Sequence, residues 1–225
     1  MDINKNQIKH LTYLVGYHLF KPDFNIKEIS GKLLNELDEI LDMNFQKFDL
    51  DENLFILKSN ENPLFEFRFQ DRALIYEDTI IDSEIFHEKA IKILKLWQDL
   101  NPKAQKLKLA GIRRRFQLEI EKPNSKYHTF LYDNFIKNLN LHGKKKKVAF
   151  YTNYLCRIDT ENYNININMD EFLEKKYVLE FKVDVNQIDE EMIGDITNEK
   201  VIKIFNSAKK YYNESFFDLL GINIK

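Results

Sequence analysis

The sequence predicts an α+β fold of antiparallel sheets with long helices packed on one face. Three observations carry this. Several stretches alternate apolar and polar residues at every second position, the period of a strand with one buried face. Others repeat apolar residues at every third or fourth position, which puts them on one side of a helix. Finally, the order strand, helix, three strands, helix is read over residues 1–104 and again over 105–225, without residue identity between the halves. A pseudo-duplicated chain is therefore expected, with two intimately packed α+β halves forming a single folding unit.

In order, Leu11, Tyr13, Val15, Tyr17 and Leu19 alternate with His10, Thr12, Leu14, Gly16 and His18, which predicts a strand over 8–20. Asn25 with Glu28 resembles a capping box, and Ile26, Ile29, Leu33, Leu37, Ile40 and Leu41 give the helix after it an apolar stripe. Three strands are expected next: Phe48–Leu57, a second in which Phe65, Phe67 and Phe69 alternate with polar residues, and Leu74–Glu77 beyond a turn at Asp71-Arg72. Asp82 or Ser83 then caps a helix with the stripe Phe86, Ala90, Ile93, Trp97 and Leu100, stopped by Asn101-Pro102.

The second half opens on the long strand 106–121. Ala110, Ile112, Phe116, Leu118 and Ile120 share one face, interrupted by Arg114, while Arg113, Arg115, Gln117, Glu119 and Glu121 share the other. A short helix is expected over Thr129–Leu139 and a strand over Val148–Arg157. Tyr163, Ile165, Ile167 and Met169 then alternate with Asn164, Asn166 and Asn168, and Tyr177, Leu179, Phe181, Val183 and Val185 alternate with Val178, Glu180, Lys182 and Asp184. One last helix carries Val201, Ile204, Phe205, Ala208, Tyr212, Phe216 and Leu219, with Gly221 as its C-cap.

Composition narrows the class. With 225 residues, 44% hydrophobic and including 18 Phe and 11 Tyr, the chain holds enough apolar mass for a real core. A net charge of −2 argues against a surface tuned throughout to nucleic acid. Charge is nonetheless segregated: residues 102–126 hold eight Lys/Arg against two Glu, and 159–199 hold twelve Asp/Glu against three Lys, a polarity that suits a protein partner, an anionic ligand or ordinary solvated faces. The N-terminal residues do not read as a secretory signal, and no run approaches the ~20 apolar residues of a membrane span. Cys156 is the single cysteine, so no internal disulfide is expected. A cytoplasmic protein is the simplest expectation.

The segment Gly111-Ile112-Arg113-Arg114-Arg115-Phe116-Gln117-Leu118-Glu119-Ile120 resembles the signature strand of a family of uncharacterised, sporadically distributed bacterial and archaeal proteins, which reads roughly Gly-Leu-Arg-Tyr-Ile-Asn-Arg-Ile-Glu-Ile. The aromatic-bearing helix Phe86–Trp97 before it, Leu131–Phe135 after it, the strand Tyr177–Val185 and a late aromatic such as Phe216 agree in order. Arg114 stands where the family has Tyr, and Phe116 where it has Asn. The resemblance implies the fold and a patchy, mobile or defence-associated context, and no reaction.

Little in the sequence points to chemistry. The five His have no i, i+4 pair, and His10 and His18 on one strand would lie ~26 Å apart, so zinc ligation is not expected. No Gly-rich phosphate loop or nucleophile elbow is present. Asp170 followed by Glu180-Phe181-Lys182 fits an Asp…Glu-X-Lys arrangement, in which two carboxylates hold Mg²⁺ and the lysine orients the attacking water. The same residues also read simply as the polar face of an alternating strand. Arg113 and Arg115 with Lys144, Lys145, Lys146 and Lys147 are candidate phosphate-binding residues, although solvated turns for the lysines and a cross-strand salt bridge for Arg113 account for them more simply. Three functions follow: foremost a non-catalytic interaction protein, an accessory subunit of a defence or mobile-element system, needing a protein partner and no cofactor; then a Mg²⁺-dependent nuclease using Asp170, Glu180 and Lys182; and an auxiliary nucleic-acid-binding protein.

Overall fold

The structure, a computed structural model, describes residues 2–19, 26–41, 47–50, 54–58, 64–68, 73–101, 107–121, 129–130, 132–136, 147–151, 155–159, 163–173, 176–186, 197–212, 216–219 and 221–225. The fold is α+β. After β1 (Asp2–Ile3) and a 3-10 turn (Lys5–Gln7) come β2 (Ile8–Leu19), α1 (Ile26–Leu41), β3 (Lys47–Leu50), β4 (Leu54–Lys58), β5 (Leu64–Arg68), β6 (Ala73–Asp78) and α2 (Ser83–Leu100). Next are β7 (Leu107–Glu121), a π-helical stretch (Tyr132–Ile136), β8 (Lys147–Tyr151), β9 (Leu155–Asp159), β10 (Tyr163–Leu173), β11 (Lys176–Val185), α3 (Asn198–Lys210), α4 (Phe216–Leu219) and β12 (Asn223–Ile224). Among the described residues, no helix is long and apolar enough to cross a membrane.

Three expectations are corrected. Residues 48–57 form two antiparallel strands, with Phe48 opposite Leu57, and residues 148–157 likewise form β8 and β9, with Phe150 opposite Cys156. Polar segments, Asp51-Glu52-Asn53 and Thr152-Asn153, separate the paired strands in sequence, and their Asp and Asn residues favour turns over strands. The single final helix is two helical segments, α3 and α4. The turn at Asp71-Arg72 lies outside the described residues.

The chain forms two compact units, one of residues 12–112 with 189–205, the other of 1–11, 113–188 and 206–225. In the first, strands follow the order β3-β4-β5-β6-β2, and every adjacent pair runs antiparallel. Tyr17, Leu74, Phe67 and Phe55 lie in one cross-strand row, and Val15, Tyr76, Phe65 and Leu57 in the next. All are buried. Helix α2 lays Phe86, Ala90, Ile93 and Trp97 on this face: Trp97 meets Phe67 at 4.6 Å between centroids, and Phe86 stacks on Tyr76 at 5.0 Å. Each such ring removed from water stabilises the unit by about 1.5–3 kcal/mol. The helix starts where expected, since the Asp82 carboxylate accepts from the Glu84 and Ile85 N–H groups.

In the second unit the order is β7-β11-β10-β9-β8. Phe116, Leu118 and Ile120 of β7 and Leu179, Phe181, Val183 and Val185 of β11 make its buried face. Phe116 and Phe181 stack at 5.0 Å, and Phe216 of α4 meets both edge-on. The Tyr212 hydroxyl donates to the Val183 carbonyl at 3.3 Å. Gly221 adopts φ 64, the left-handed conformation a helix C-cap requires, and its N–H reaches back to the Asp218 carbonyl.

Candidate functional site

Burying Phe116 and Leu118 fixes the opposite face of β7, because neighbouring side chains on a strand leave in opposite directions. Arg113 and Arg115 therefore share that face, and on the adjacent strand β11 the burial of Phe181 and Val183 sends Glu180, Lys182 and Asp184 to it. The charges interlock. Arg113 donates from Nε and Nη2 to the two carboxylate oxygens of Asp184, at 2.6 and 3.3 Å. Arg115 donates from the same two nitrogens to Oε1 of Glu180, at 3.2 and 3.0 Å. Lys182 Nζ approaches that same oxygen at 3.6 Å. The cationic side chains are 33–38% exposed and the carboxylates 16–17%, so the pairs are half-buried at a wetted surface rather than enclosed.

Strand register extends this face. On β10, Asn164 stands opposite Asp184, Asn166 opposite Lys182, Asn168 opposite Glu180 and Asp170 opposite Val178. On β9, Asp159 and Arg157 stand opposite Asn164 and Asn166. Residues directly opposite in an antiparallel pair share a face, so these positions join the one built by β7 and β11.

The three residues of the Asp…Glu-X-Lys pattern thus fall on one sheet face. Asp170 is one diagonal from Glu180, and Lys182 lies a further step along β11. The strand carrying Asp170 continues to Leu173, with a register irregularity between Asp170 and Leu173. Glu180 is engaged by two cations. Among the described residues no three His, Cys, Asp or Glu side chains are grouped as a metal ion would require.

Of the candidate phosphate-binding residues, Arg113 and Arg115 sit in the ion pairs, the first in the cross-strand salt bridge that its position suggested. Lys147 opens β8 opposite Asp159. Lys144, Lys145 and Lys146 lie outside the described residues. Arg114 is the residue that interrupts the apolar face of β7. Its Nη1 donates to the Tyr212 carbonyl at 3.3 Å, and its guanidinium lies 5.3 Å from the centre of the Phe116 ring.

Sequence reasoning did not pair Arg115 with Glu180. The signal was present as two rows of opposite charge at two-residue spacing, but only the adjacency of β7 and β11 brings those rows together. No model of a known protein family matches the chain, and a search of curated proteins finds none similar to it.

Proposed function

We propose that this protein is a non-catalytic interaction protein, an accessory subunit that docks a protein partner on the polar face of β7, β11 and β10. The observation that carries this reading is the pairing of Arg113 with Asp184 and of Arg115 and Lys182 with Glu180. Phosphate binding needs cations whose charge is not already compensated, because affinity comes from releasing the counterions of the nucleic acid. Here each arginine has a carboxylate within hydrogen-bond reach. A nuclease needs carboxylates whose oxygens are available to a divalent ion at ~2.1 Å. The Glu180 oxygen nearest to Arg115 is shared with Lys182. A face of compensated, alternating charge favours a partner with a matching pattern, since such interfaces select by complementarity more than by net attraction. The resemblance of residues 111–120 to the signature strand supports a prokaryotic defence or mobile-element setting, with action in the cytoplasm.

The test has two arms. The purified protein is incubated with single- and double-stranded DNA and RNA in Mg²⁺ or Mn²⁺, and the tagged protein is recovered from its native host. Expected are intact nucleic acid and stoichiometric recovery of a protein that is lost from the Arg115→Glu variant. Metal-dependent cleavage that disappears in folded Glu180→Ala and Lys182→Ala variants would overturn the reading in favour of a nuclease using Asp170, Glu180 and Lys182.

A further inference from the structure

Helix α2 buries its expected stripe, but its start departs from the pattern of a solvated helix face. Ile81, immediately before the Asp82 cap, is 79% exposed, and Ile85 in the first turn is 48% exposed. In sequence, Ile81 and Phe86 stand where a hydrophobic staple would clamp the entry of the chain into the helix. Phe86 is instead committed inward: it is fully buried, stacked on Tyr76 and tilted against Tyr13 at 5.3 Å. Ile81 stays in water. Ile85 is equally unexplained by folding, because a β-branched side chain at an exposed helical position loses rotamer freedom without gaining packing. Single apolar residues scattered over a surface are ordinary. Two at one helix end, with charges of one sign beside them, are a different pattern. Asp82, Glu84 and Glu88 are all exposed. Glu88 lies three residues after Ile85 and four after Glu84, so these three side chains share one helix face. The Asp82 carboxylate already closes the helix start by accepting from the Glu84 and Ile85 N–H groups, and Glu84 sits favourably in the first turn. Glu88 lies beyond the reach of the helix dipole, with a like charge one turn before it.

We propose that Ile81 and Ile85, with Glu84 and Glu88, anchor a short basic segment of a protein partner, one in which apolar residues are flanked by Lys or Arg. This goes beyond the docking face of β7, β11 and β10, and it uses residues of the other compact unit. Apolar groups of the segment cover the two isoleucines and remove their side chains from water, which supplies affinity. Its cations meet Glu84 and Glu88 and relieve their mutual repulsion, which supplies selectivity. The same acidic groups repel an acidic segment, a phosphate backbone and anionic lipid headgroups, so the charge of the patch singles out a basic polypeptide.

The probe is a displayed library of short random linear peptides, selected on the full chain and counter-selected on Ile81→Ser/Ile85→Ser. Both positions are exposed, so the variant keeps the buried stripe of α2, which an unchanged urea midpoint verifies. Expected are peptides that combine apolar residues with Lys or Arg and bind the unaltered chain about ten-fold or more tightly than the variant. Their affinity should also fall on Glu84→Gln/Glu88→Gln, by a factor that shrinks as salt is raised. A second measurement needs no altered protein and so does not depend on one folding. Exchanging the Lys and Arg of a selected peptide for Glu should abolish its binding to the unaltered chain. Failure to enrich any peptide, equal binding to the Ile81→Ser/Ile85→Ser variant, or binding that survives the charge reversal would overturn the proposal. A dimer that forms with rising concentration and is lost in that variant would overturn it in favour of a second copy of this chain. Capture by phosphatidylcholine vesicles, lost in the same variant, would overturn it in favour of a lipid surface. None of these outcomes bears on the docking face of β7 and β11, which recovery from the host with Arg115→Glu tests separately.

Discussion

Arg113 shows how an exposed charge can be committed by its neighbours. Its two-point contact with Asp184 is the geometry in which a guanidinium and a carboxylate interact most favourably, but its side chain is 38% exposed, so water and salt screen much of that gain. A double-mutant cycle of Arg113→Ala and Asp184→Asn should therefore give a coupling of about 0.5–1 kcal/mol in urea unfolding, shrinking as salt is raised. A coupling unchanged by molar salt would mean that the pair is effectively shielded. Arg114, one residue on, donates to the Tyr212 carbonyl and lies over the Phe116 ring. Replacing it with Met keeps the alkyl stem and loses the bond to Tyr212, which should cost about 1–2 kcal/mol in urea unfolding. That Arg114 breaks an apolar row was legible from alternation alone. Its acceptor was not, because a main-chain carbonyl 98 residues away has no signature in residue type.

Among the elements, β2 and α2 were read closely because both signals were strong: a clean two-residue alternation, and a capped helix with an unbroken stripe. Strands β3 and β4 were merged in that reading because hydrophobic period does not reveal a reversal when the apolar residues on either side continue. The aromatic layer between sheet and helix lends itself to two tests. Trp97→Ala would empty the contact with Phe67 and should cost about 3–5 kcal/mol, seen as a fall in the urea midpoint at constant slope. The buried tyrosines make a separate, pH-dependent contribution. Burial raises the pKa of Tyr17, and burial followed by the charge of and hydrogen bond to Asp78 raises that of Tyr76. A phenol held neutral in the fold loses its proton first in the unfolded chain, so the stability linked to it is fully present below about pH 10 and declines as pH rises beyond that. Tyr17→Phe should cost about 1 kcal/mol at pH 7 through its lost bond to the Ala90 carbonyl, and should make the alkaline decline shallower. An identical slope above pH 10 in both proteins would show that Tyr17 ionises as freely in the fold as outside it.

For the molecule as a whole, the decisive feature is that neither compact unit is a continuous piece of chain. The unit boundaries fall at 11/12, 112/113 and 205/206, inside β2, β7 and α3, besides the passage at 188/189. A sequence reading divides a chain at loops, and so set its halves at 1–104 and 105–225; nothing in local periodicity marks a boundary that runs through the middle of a strand. The consequence can be measured by expressing those two fragments. Fragment 1–104 would lack residues 105–112 and 189–205, and with them the first strand residues of β7 and the turns of α3 that carry Phe205, whose ring stacks on His87 at 4.7 Å. Fragment 105–225 would lack residues 1–11, including β1, which pairs in parallel with β12, and Gln7, whose amide donates to the Glu119 carbonyl at 3.0 Å. Each fragment then exposes buried apolar surface and unpaired main-chain groups that the intact unit covers. Neither should give a cooperative thermal transition or dispersed amide resonances, whereas the full chain should melt cooperatively. Two separately cooperative fragments would show that the segments donated across the cut at 104/105 are dispensable to the units they complete.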